Sequence, residues 1–231
     1  MFVVEKDPKS IAAETYKVLR TNIEYSSYDR DLQVLVVTST QPKEGKSTTA
    51  GNLALSLAQD DKKVILVDCD LRRPSVHKKF FLSNTLGVTE VILGKKNIEE
   101  VVQKYNSNLD ILTSGKIPPN PSEMLGSEQM TKFLMDLRDI YDYVILDTAP
   151  ILAVTDSQIL STKADGVIFI VMAGKAKKDE ILQAKSQLDK VKAPIIGSVL
   201  NNIDTSDNKN QYYYYYGADD SRVNRNKRNR H

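Results

Sequence analysis

Short runs of apolar residues recur along the chain, and most are apolar at successive positions instead of alternate ones. This pattern is typical of strands that are covered on both faces, as in mainly parallel sheets. Six runs predict strands, at residues 34–37, 64–67, 109–112, 144–146, 167–171 and 195–200. Segments with helical spacing separate them, at residues 46–59, 127–140 and 178–191. The alternation predicts an α/β fold around a mainly parallel sheet flanked by helices.

The two ends of the chain differ from this core. Residues 9–29 predict an amphipathic helix ahead of the main fold. Its apolar positions are Ile11, Tyr16, Leu19 and Ile23. After Asn202 the sequence becomes polar, then holds five consecutive tyrosines and an Arg/Asn-rich end, and such a composition cannot bury a core. We therefore expect one domain over residues 1–203 and a flexible tail over residues 204–231.

Composition and charge indicate the cellular compartment and exclude one class of partner. The 32 basic and 30 acidic residues give a formal net charge of +2, so the molecule is not a polycation, and we expect no specific nucleic-acid partner. The single cysteine, Cys69, cannot form an internal disulfide, and the first residues lack the basic segment and apolar run of a signal peptide. No stretch approaches the roughly 18 apolar residues that span a bilayer. These features favour a cytoplasmic protein.

A phosphate-binding loop is predicted at residues 40–48, which read TQPKEGKST. The stretch follows the first strand and opens a helix, which is the context of a Walker A motif, and Thr40 replaces its first glycine. Backbone N–H groups would surround the phosphates, Lys46 would neutralise the β- and γ-phosphate oxygens, and the Ser47 hydroxyl would bind Mg²⁺. The expected nucleotide-binding residues are Thr40, Lys43, Glu44, Gly45, Lys46, Ser47 and Thr48. A surface loop with a helix cap is the ordinary alternative, and the flanking strand and helix weigh against it.

Two acidic elements follow later strands. Asp68 and Asp70 come directly after the second predicted strand, and residues two apart in an extended chain point the same way, so both carboxylates can face one site. Asp147 ends the fourth predicted strand, as in a Walker B element. The carboxyl ends of parallel strands meet at one edge of a sheet, so Lys46 and the three acids are expected to converge there. One acid after a strand is usually only a cap, but three such elements in order are poorly explained by coincidence.

These groups suit phosphoryl transfer, which needs charge neutralisation and alignment more than covalent assistance. ATP or ADP is the expected nucleotide and Mg²⁺ the expected metal. The expected metal ligands are Ser47, Asp68 and Asp147, the last acting through water. Either Asp68 or Asp70 is expected to orient an attacking hydroxyl and accept its proton. Since a tyrosine hydroxyl has a pKa near ~10, a positioned carboxylate contributes on the order of 10² to 10⁴ in rate.

The tail offers such hydroxyls. Its tyrosines are Tyr212, Tyr213, Tyr214, Tyr215 and Tyr216. A low-complexity tail without a role is the ordinary interpretation, and the ATP site upstream favours phosphoryl acceptors instead. The roughly 10 residues that precede the tyrosines span about 17 Å typically and about 33 Å when stretched, so the chain's own site and a neighbour's are both conceivable. Several phosphates on adjacent tyrosines repel one another, which predicts release of the phosphorylated tail.

From about Lys9 to its end, the chain resembles the bacterial tyrosine kinases of capsule and exopolysaccharide synthesis. The phosphate loop, the motif Asp68-x-Asp70-x-Arg72, the Asp147 strand and the tyrosine cluster carry the resemblance. It implies the three-layer sandwich of P-loop NTPases such as the MinD and ParA ATPases. It also implies an ATP-dependent protein-tyrosine kinase that autophosphorylates its tail and regulates polysaccharide synthesis and export. The catalytic residues that it implies are Lys46, Asp68, Asp70, Arg72 and Asp147.

The same resemblance implies partners. The family carries a helix motif, Glu-x-x-Arg-x-x-Arg, used for subunit contacts, and Glu14, Lys17 and Arg20 occupy it here. Lysine keeps the charge but loses the planar fork of arginine, and a solvated salt-bridge face is the ordinary explanation of such spacing. The implied assembly is a ring-like oligomer, disassembled by phosphorylation, in which one subunit's tail enters the next subunit's site. A separate transmembrane activator would dock beside the nucleotide and hold the protein at the membrane periphery, and the other substrates would be tyrosines of proteins of polysaccharide synthesis.

The residue that would bind adenine and the function of the chain each have more than one interpretation. Asn201 or Asn202 follows the last strand, where related folds hold adenine, and asparagines there are also common turn formers. The main rival function is a partitioning or cell-positioning ATPase, whose loop usually carries an early second lysine where this chain has Gln41. A binding module with a degenerate ATP site is disfavoured because the motif residues are intact. A eukaryotic-type serine/threonine kinase is excluded, since neither His-Arg-Asp nor Asp-Phe-Gly occurs.

Overall fold

The computed structural model describes residues 2–26 and 32–203 of the 231-residue chain. Within these residues seven strands form one sheet. The strands are β1 (Val34–Ser39), β2 (Val64–Asp68), β3 (Gln103–Lys104), β4 (Leu109–Leu112), β5 (Tyr143–Asp147), β6 (Gly166–Met172) and β7 (Ile195–Asn201). They lie side by side in the order β3-β4-β2-β5-β1-β6-β7.

Helices precede the first strand and connect the later ones. They are α1 (Val3–Lys6), α2 (Ile11–Ser26), α3 (Lys46–Ala58), α4 (Val76–Phe80), α5 (Val88–Ile92), α6 (Ile98–Val101), α7 (Pro121–Gly126), α8 (Glu128–Arg138), α9 (Asp156–Ser161) and α10 (Lys178–Lys190). The three helices predicted from spacing correspond to α3, α8 and α10, and their ends agree to within two residues.

The sheet is parallel except at one edge. Pairs β1–β5, β1–β6, β2–β4, β2–β5 and β6–β7 are all parallel, and only β3 runs antiparallel, against β4. The predicted α/β fold with a mainly parallel sheet is therefore confirmed. The edge strand β3 was not predicted, because it consists of two polar residues and has no apolar run.

Side chains that alternate along the strands enter two separate cores. On β1, Val34 and Val36 belong to one cluster, together with side chains from α8 and α10. Leu35 and Val37 belong to the other cluster, together with side chains from α2 and α3. This alternation follows from the two-residue period of an extended chain. The sheet thus lies between two helical layers, as expected of a three-layer sandwich.

The N-terminal segment is part of the domain. Tyr16, Leu19 and Ile23 of α2 contact the core beside α3, as predicted for an amphipathic helix. Ile11 does not join them, because it lies at the first turn and keeps 42% of its surface exposed. The short helix α1 was not predicted, since four residues give no period. Phe2 and Val4 are nevertheless buried, and the Phe2 ring lies 4.4 Å from that of Phe80.

The structure also bears on the expected domain boundary near residue 203 and on membrane-spanning helices. Contacts along the chain group Met1–Asn201 into one unit and Asn202–His231 into another. Most of the second unit lies outside the described residues, so the domain boundary expected after residue 203 stays a prediction. Among the described helices, none combines the length and apolarity needed to cross a bilayer.

Candidate active site

The phosphate loop joins β1 to α3 at the carboxyl edge of the sheet. Its tight path needs two residues with positive φ, Lys43 at 63° and Gly45 at 93°. At Gly45 a Cβ atom would lie 2.0 Å from the Asn201 amide nitrogen, so only glycine fits beside the end of β7. Lys43 also adopts the left-handed conformation, and for a lysine this conformation costs free energy that a glycine would not lose.

Bonds within the chain hold the loop in this shape. The Gln41 backbone N–H donates to the Glu44 carboxylate at 3.0 Å, and the Asn201 side-chain amide donates to the Glu44 carbonyl at 3.0 Å. The Lys175 ammonium donates to the Pro42 carbonyl. The predicted adenine role of Asn201 stays a prediction, and the structure adds that this side chain braces the phosphate loop.

A cavity of about 650 Å³ opens beside this loop. Its walls come from the phosphate loop, the segment between β2 and α4, and the segment that follows β5. The expected site residues that line it are Lys43, Gly45, Lys46, Ser47, Thr48, Asp70 and Arg72. The remaining expected residues at this edge are fully buried or packed against the loop: Thr40, Glu44, Asp68, Asp147 and Asn201. The predicted convergence of Lys46 with the strand-end acids is thus present in the geometry.

Asp68 and Asp147 are register partners on the neighbouring strands β2 and β5. The Asp68 carboxylate accepts backbone N–H bonds from Ser75 and Val76, both at 3.0 Å. Burial, and then the nearby Asp147 charge, nevertheless raise the pKa of Asp68 well above its usual value. Burial also raises the pKa of Asp147 to about 6, although the Lys46 ammonium and the Ser47 hydroxyl lower it.

The carboxylate of Asp147 is chemically unsatisfied. Both of its oxygens are buried and accept no hydrogen bond of ordinary geometry from the described residues. Two adjacent buried carboxylates with raised pKa values call for a cation, so Ser47, Asp68 and Asp147 fit the expected Mg²⁺. Within residues 2–26 and 32–203, no three His, Cys, Asp or Glu side chains meet closely enough to hold a metal alone. Mg²⁺ commonly binds one or two carboxylates together with waters and substrate phosphates.

Asp70 differs from Asp68 in its exposure to the cavity. The strand β2 ends at Asp68, and Asp70 lies in the following segment, where it lines the cavity. Burial raises the pKa of Asp70, while the Arg73 N–H and the Lys46 ammonium lower it. Its backbone N–H donates to Asp68 at 3.3 Å, and the side chain of Cys69, between them, is buried in the core.

Arg72 is paired with a residue that the sequence did not single out. Its guanidinium donates to the buried Asp156 carboxylate twice, at 2.8 and 3.1 Å. Ser122 also donates to Asp156, at 2.7 Å. The geometry therefore ties the segment after β2 to the starts of α7 and α9, and the expected catalytic role of Arg72 stays a prediction. Asp156 begins α9, so it gives the sequence signal of a helix start only.

Ser75 and Lys79 are two further site residues that the sequence did not indicate. The Ser75 hydroxyl donates to the Ser47 hydroxyl at 2.8 Å, and the Lys79 ammonium donates to the Thr48 hydroxyl at 2.9 Å. Both residues line the cavity. Neither residue belongs to a sequence motif, because each contacts the phosphate loop only once the chain has folded.

The expected subunit-contact residues lie on α2. Glu14 and Lys17 form an exposed ion pair at 2.6 Å, which is the solvated alternative described for this spacing. Arg20 donates to the Ser56 carbonyl at 2.9 Å and lies 3.3 Å from Asp60. Arg20 therefore also serves its own chain, by attaching α2 to α3. Subunit contact through this helix stays a prediction, and the tyrosine cluster at 212–216 lies outside the described residues.

Comparison with known proteins gives four concordant findings. The AAA domain family matches residues 32–195. The tyrosine-protein kinase YwqD of Bacillus subtilis is 47% identical over 216 residues, which covers 93% of this chain and 90% of that protein. The tyrosine-protein kinase CpsD of Streptococcus agalactiae is 34% identical and covers 84% of each chain. Among solved structures, the kinase domain of Escherichia coli tyrosine kinase ETK superposes with a TM-score of 0.85 at 32% identity, covering 89% of this chain and 82% of that one.

Proposed function

Because the chain belongs to the bacterial tyrosine-protein kinases, we propose that it transfers the γ-phosphate of ATP to the tyrosines of its own tail. What supports this proposal is the convergence of Lys46 and Asp70 on one cavity, with Asp68 and Asp147 buried at the same sheet edge. Phosphoryl transfer needs this combination of fixed cations and oriented acids.

The chain's own groups divide the work. The Lys46 ammonium neutralises phosphate oxygens, and the N–H groups at the start of α3 surround them. Ser47 and Asp147, with Asp68 beside them, would hold Mg²⁺, which would supply positive charge to neutralise the phosphates. Asp68 keeps the segment after β2 in place, because its carboxylate accepts the N–H groups of Ser75 and Val76.

Asp70 is the proposed acceptor of the tyrosine proton. It lines the cavity, whereas Asp68 is fully buried and its oxygens already accept backbone N–H groups. A raised pKa makes the Asp70 carboxylate a stronger base than an ordinary aspartate, and its position puts it beside Lys46. These features support Asp70 over Asp68 as the proposed base, a choice that the sequence leaves open.

The last strand ends at the same edge of the sheet as the phosphate loop. Strand β7 runs parallel to β6 and ends at Asn201, whose side chain contacts the phosphate loop. We propose that a tail enters a neighbouring subunit's site within a ring-like oligomer, and that phosphorylation releases it. In this proposal, a separate transmembrane activator holds the protein at the cytoplasmic face of the membrane. Phosphorylation and release of the tail regulate the synthesis and export of capsular or extracellular polysaccharide.

The experiment separates transfer between chains from transfer within one chain. A donor carries phenylalanine at all five positions 212–216, and an acceptor carries Lys46→Met with its tail intact. The two full-length chains are mixed with Mg-ATP, with and without a peptide from the cytoplasmic end of a candidate activator, and phosphotyrosine is mapped by mass spectrometry. We expect phosphate on the acceptor's tail in the mixture and none when either chain is alone.

Two results would overturn the proposal at different levels. If the wild-type chain phosphorylates its tail while the acceptor in the mixture stays unmodified, transfer occurs within one chain. If the wild-type chain forms no phosphotyrosine even with the activator peptide, the tail is not a substrate.

A further inference from the structure

Lys79 lines the cavity but belongs to none of the sequence motifs of the site. It lies on the short helix α4, lines the cavity, and donates its ammonium proton to the Thr48 hydroxyl at 2.9 Å. The neighbouring Lys78 is exposed and does not line the cavity. Adjacent lysines on one short helix thus have different surroundings, and only one of them faces the phosphate loop.

The cations in the cavity wall are Lys43, Lys46, Arg72, Arg73 and Lys79. Lys79 differs from Lys43 and Arg73 in that its ammonium contacts the first turn of α3, through Thr48. The Arg72 guanidinium is neutralised by the buried Asp156 carboxylate. The Lys46 ammonium lowers the pKa of both Asp70 and Asp147, whereas the Lys79 ammonium lowers only that of Asp147, and does so less than Lys46. Within the described residues Lys79 forms no ion pair, and its one hydrogen bond is to a neutral hydroxyl. Its positive charge therefore remains available to an anion in the cavity.

Helix α4 holds this lysine in place from both ends. At its start, the Ser75 and Val76 N–H groups donate to the Asp68 carboxylate. At its end, the Phe80 ring lies 4.4 Å from Phe2 and 5.0 Å from Tyr105. A cation on a fixed element loses little conformational entropy when it meets a ligand, which favours binding.

We propose that Lys79 is a nucleotide-binding residue whose ammonium is a second phosphate-binding cation, acting beside Lys46 on the phosphate oxygens of ATP and ADP. The contact with Thr48 places it at the first turn of α3, where the helix N-terminus favours the same anion. The inference rests on the nucleotide site of the proposed function but concerns binding alone, so it can be tested without phosphoryl transfer.

The test is calorimetric titration of Mg-ADP into the nucleotide-free full-length chain. We expect Lys79→Met to raise the Kd roughly tenfold, equivalent to about 1.4 kcal/mol. The matched control Lys78→Met, on the neighbouring exposed lysine, should stay within about twofold of the wild type, and Lys79→Arg should retain most of the affinity. The affinity of Lys79→Met should also depend less on salt concentration, because one charge contact has been removed.

A merely structural role for Lys79 gives different results. If the hydrogen bond to Thr48 only fastens α4, Lys79→Met lowers the melting temperature of the nucleotide-free chain, while Kd and its salt dependence stay at wild-type values; this outcome overturns the proposal. Lys79→Gln, which keeps a donor for Thr48 but removes the charge, serves if the methionine variant does not fold, and wild-type affinity there also overturns it. Lys46→Met tests the site itself, because wild-type Mg-ADP affinity in that variant would mean that the cavity is not the nucleotide site.

Discussion

Asp147 has a buried carboxylate whose two oxygens accept no hydrogen bond of ordinary geometry from the described residues. Its pKa is raised to about 6, which means that the folded chain binds this proton more tightly than the unfolded chain does. The resulting cost to stability is absent below the unfolded pKa near ~4, grows as the pH rises to about 6, and is complete above it. A charge kept at such a cost is expected where a cation must bind.

Asp147→Asn should therefore stabilise the nucleotide-free, metal-free chain at neutral and alkaline pH. We expect a gain on the order of 2 kcal/mol in the free energy of unfolding at pH ~8, and a gain smaller by about 1 kcal/mol at pH ~5. The measurement is urea unfolding of both chains at the two pH values. Added Mg-ADP should stabilise the wild type more than the variant, and equal stabilisation of both would show that Asp147 does not assist metal and nucleotide.

The residues that sequence reasoning found and missed differ in one physical respect. Lys46, Ser47 and Asp70 lie in local motifs whose backbone context is readable from neighbouring positions. Asp156 meets Arg72 across 84 positions of the chain, and Lys79 meets Thr48 across 31. Such pairs exist only after the sheet has brought its loops to one edge, so no local pattern could have indicated them.

The elements follow the same rule. All six strands with an apolar run are present. Every residue of β1, β2 and β5 is buried, which leaves a continuous apolar signal, whereas the edge strand β7 keeps its apolar run although it is only partly buried. The strand β3 and the helix α1 were missed because they are too short to show a period. Helix α1 is nevertheless well fastened: the Val4 N–H donates to Asn52 at 3.2 Å, and Glu5 accepts a bond from the Tyr105 hydroxyl at 2.9 Å.

Gly51 on α3 tests this attachment of the N-terminal segment. A Cβ atom there would lie 2.2 Å from the Phe2 ring, so Gly51→Ala must displace Phe2 although alanine favours the helix by about 1 kcal/mol. We expect a net loss of roughly 1–3 kcal/mol in the free energy of unfolding. The control is Gly126→Ala on α7, where the nearest atom would be an ordinary 3.7 Å away and little or no loss is expected. A stabilised Gly51→Ala chain would mean that Phe2 is not packed there.

At the scale of the whole molecule, the proposed subunit contact through α2 can be separated from the contacts that α2 makes within its own chain. Among the described residues, the side chains of Glu14 and Lys17 form an ion pair with each other and with no other residue. The Arg20 guanidinium instead donates to a carbonyl of α3 in its own chain and lies close to Asp60. If α2 mediates assembly, Glu14→Ala together with Lys17→Ala should reduce the oligomer mass measured by light scattering and leave the melting temperature of the dissociated chain unchanged. Arg20→Ala should lower both, because it also removes a contact within the chain. Unchanged mass in every variant would exclude α2 from the interface.

We have proposed that one edge of the sheet binds a nucleotide and that Asp70 activates a tyrosine hydroxyl there. Wild type and Asp70→Asn can be compared in two assays on the same preparations, Mg-ADP affinity and mass-spectrometric yield of phosphotyrosine from Mg-ATP. We expect the variant to keep its affinity to within a few-fold and to lose phosphotyrosine formation by a factor of about 10² or more. Phosphotyrosine formed by the variant at the wild-type rate, with nucleotide binding equal in both, would contradict it.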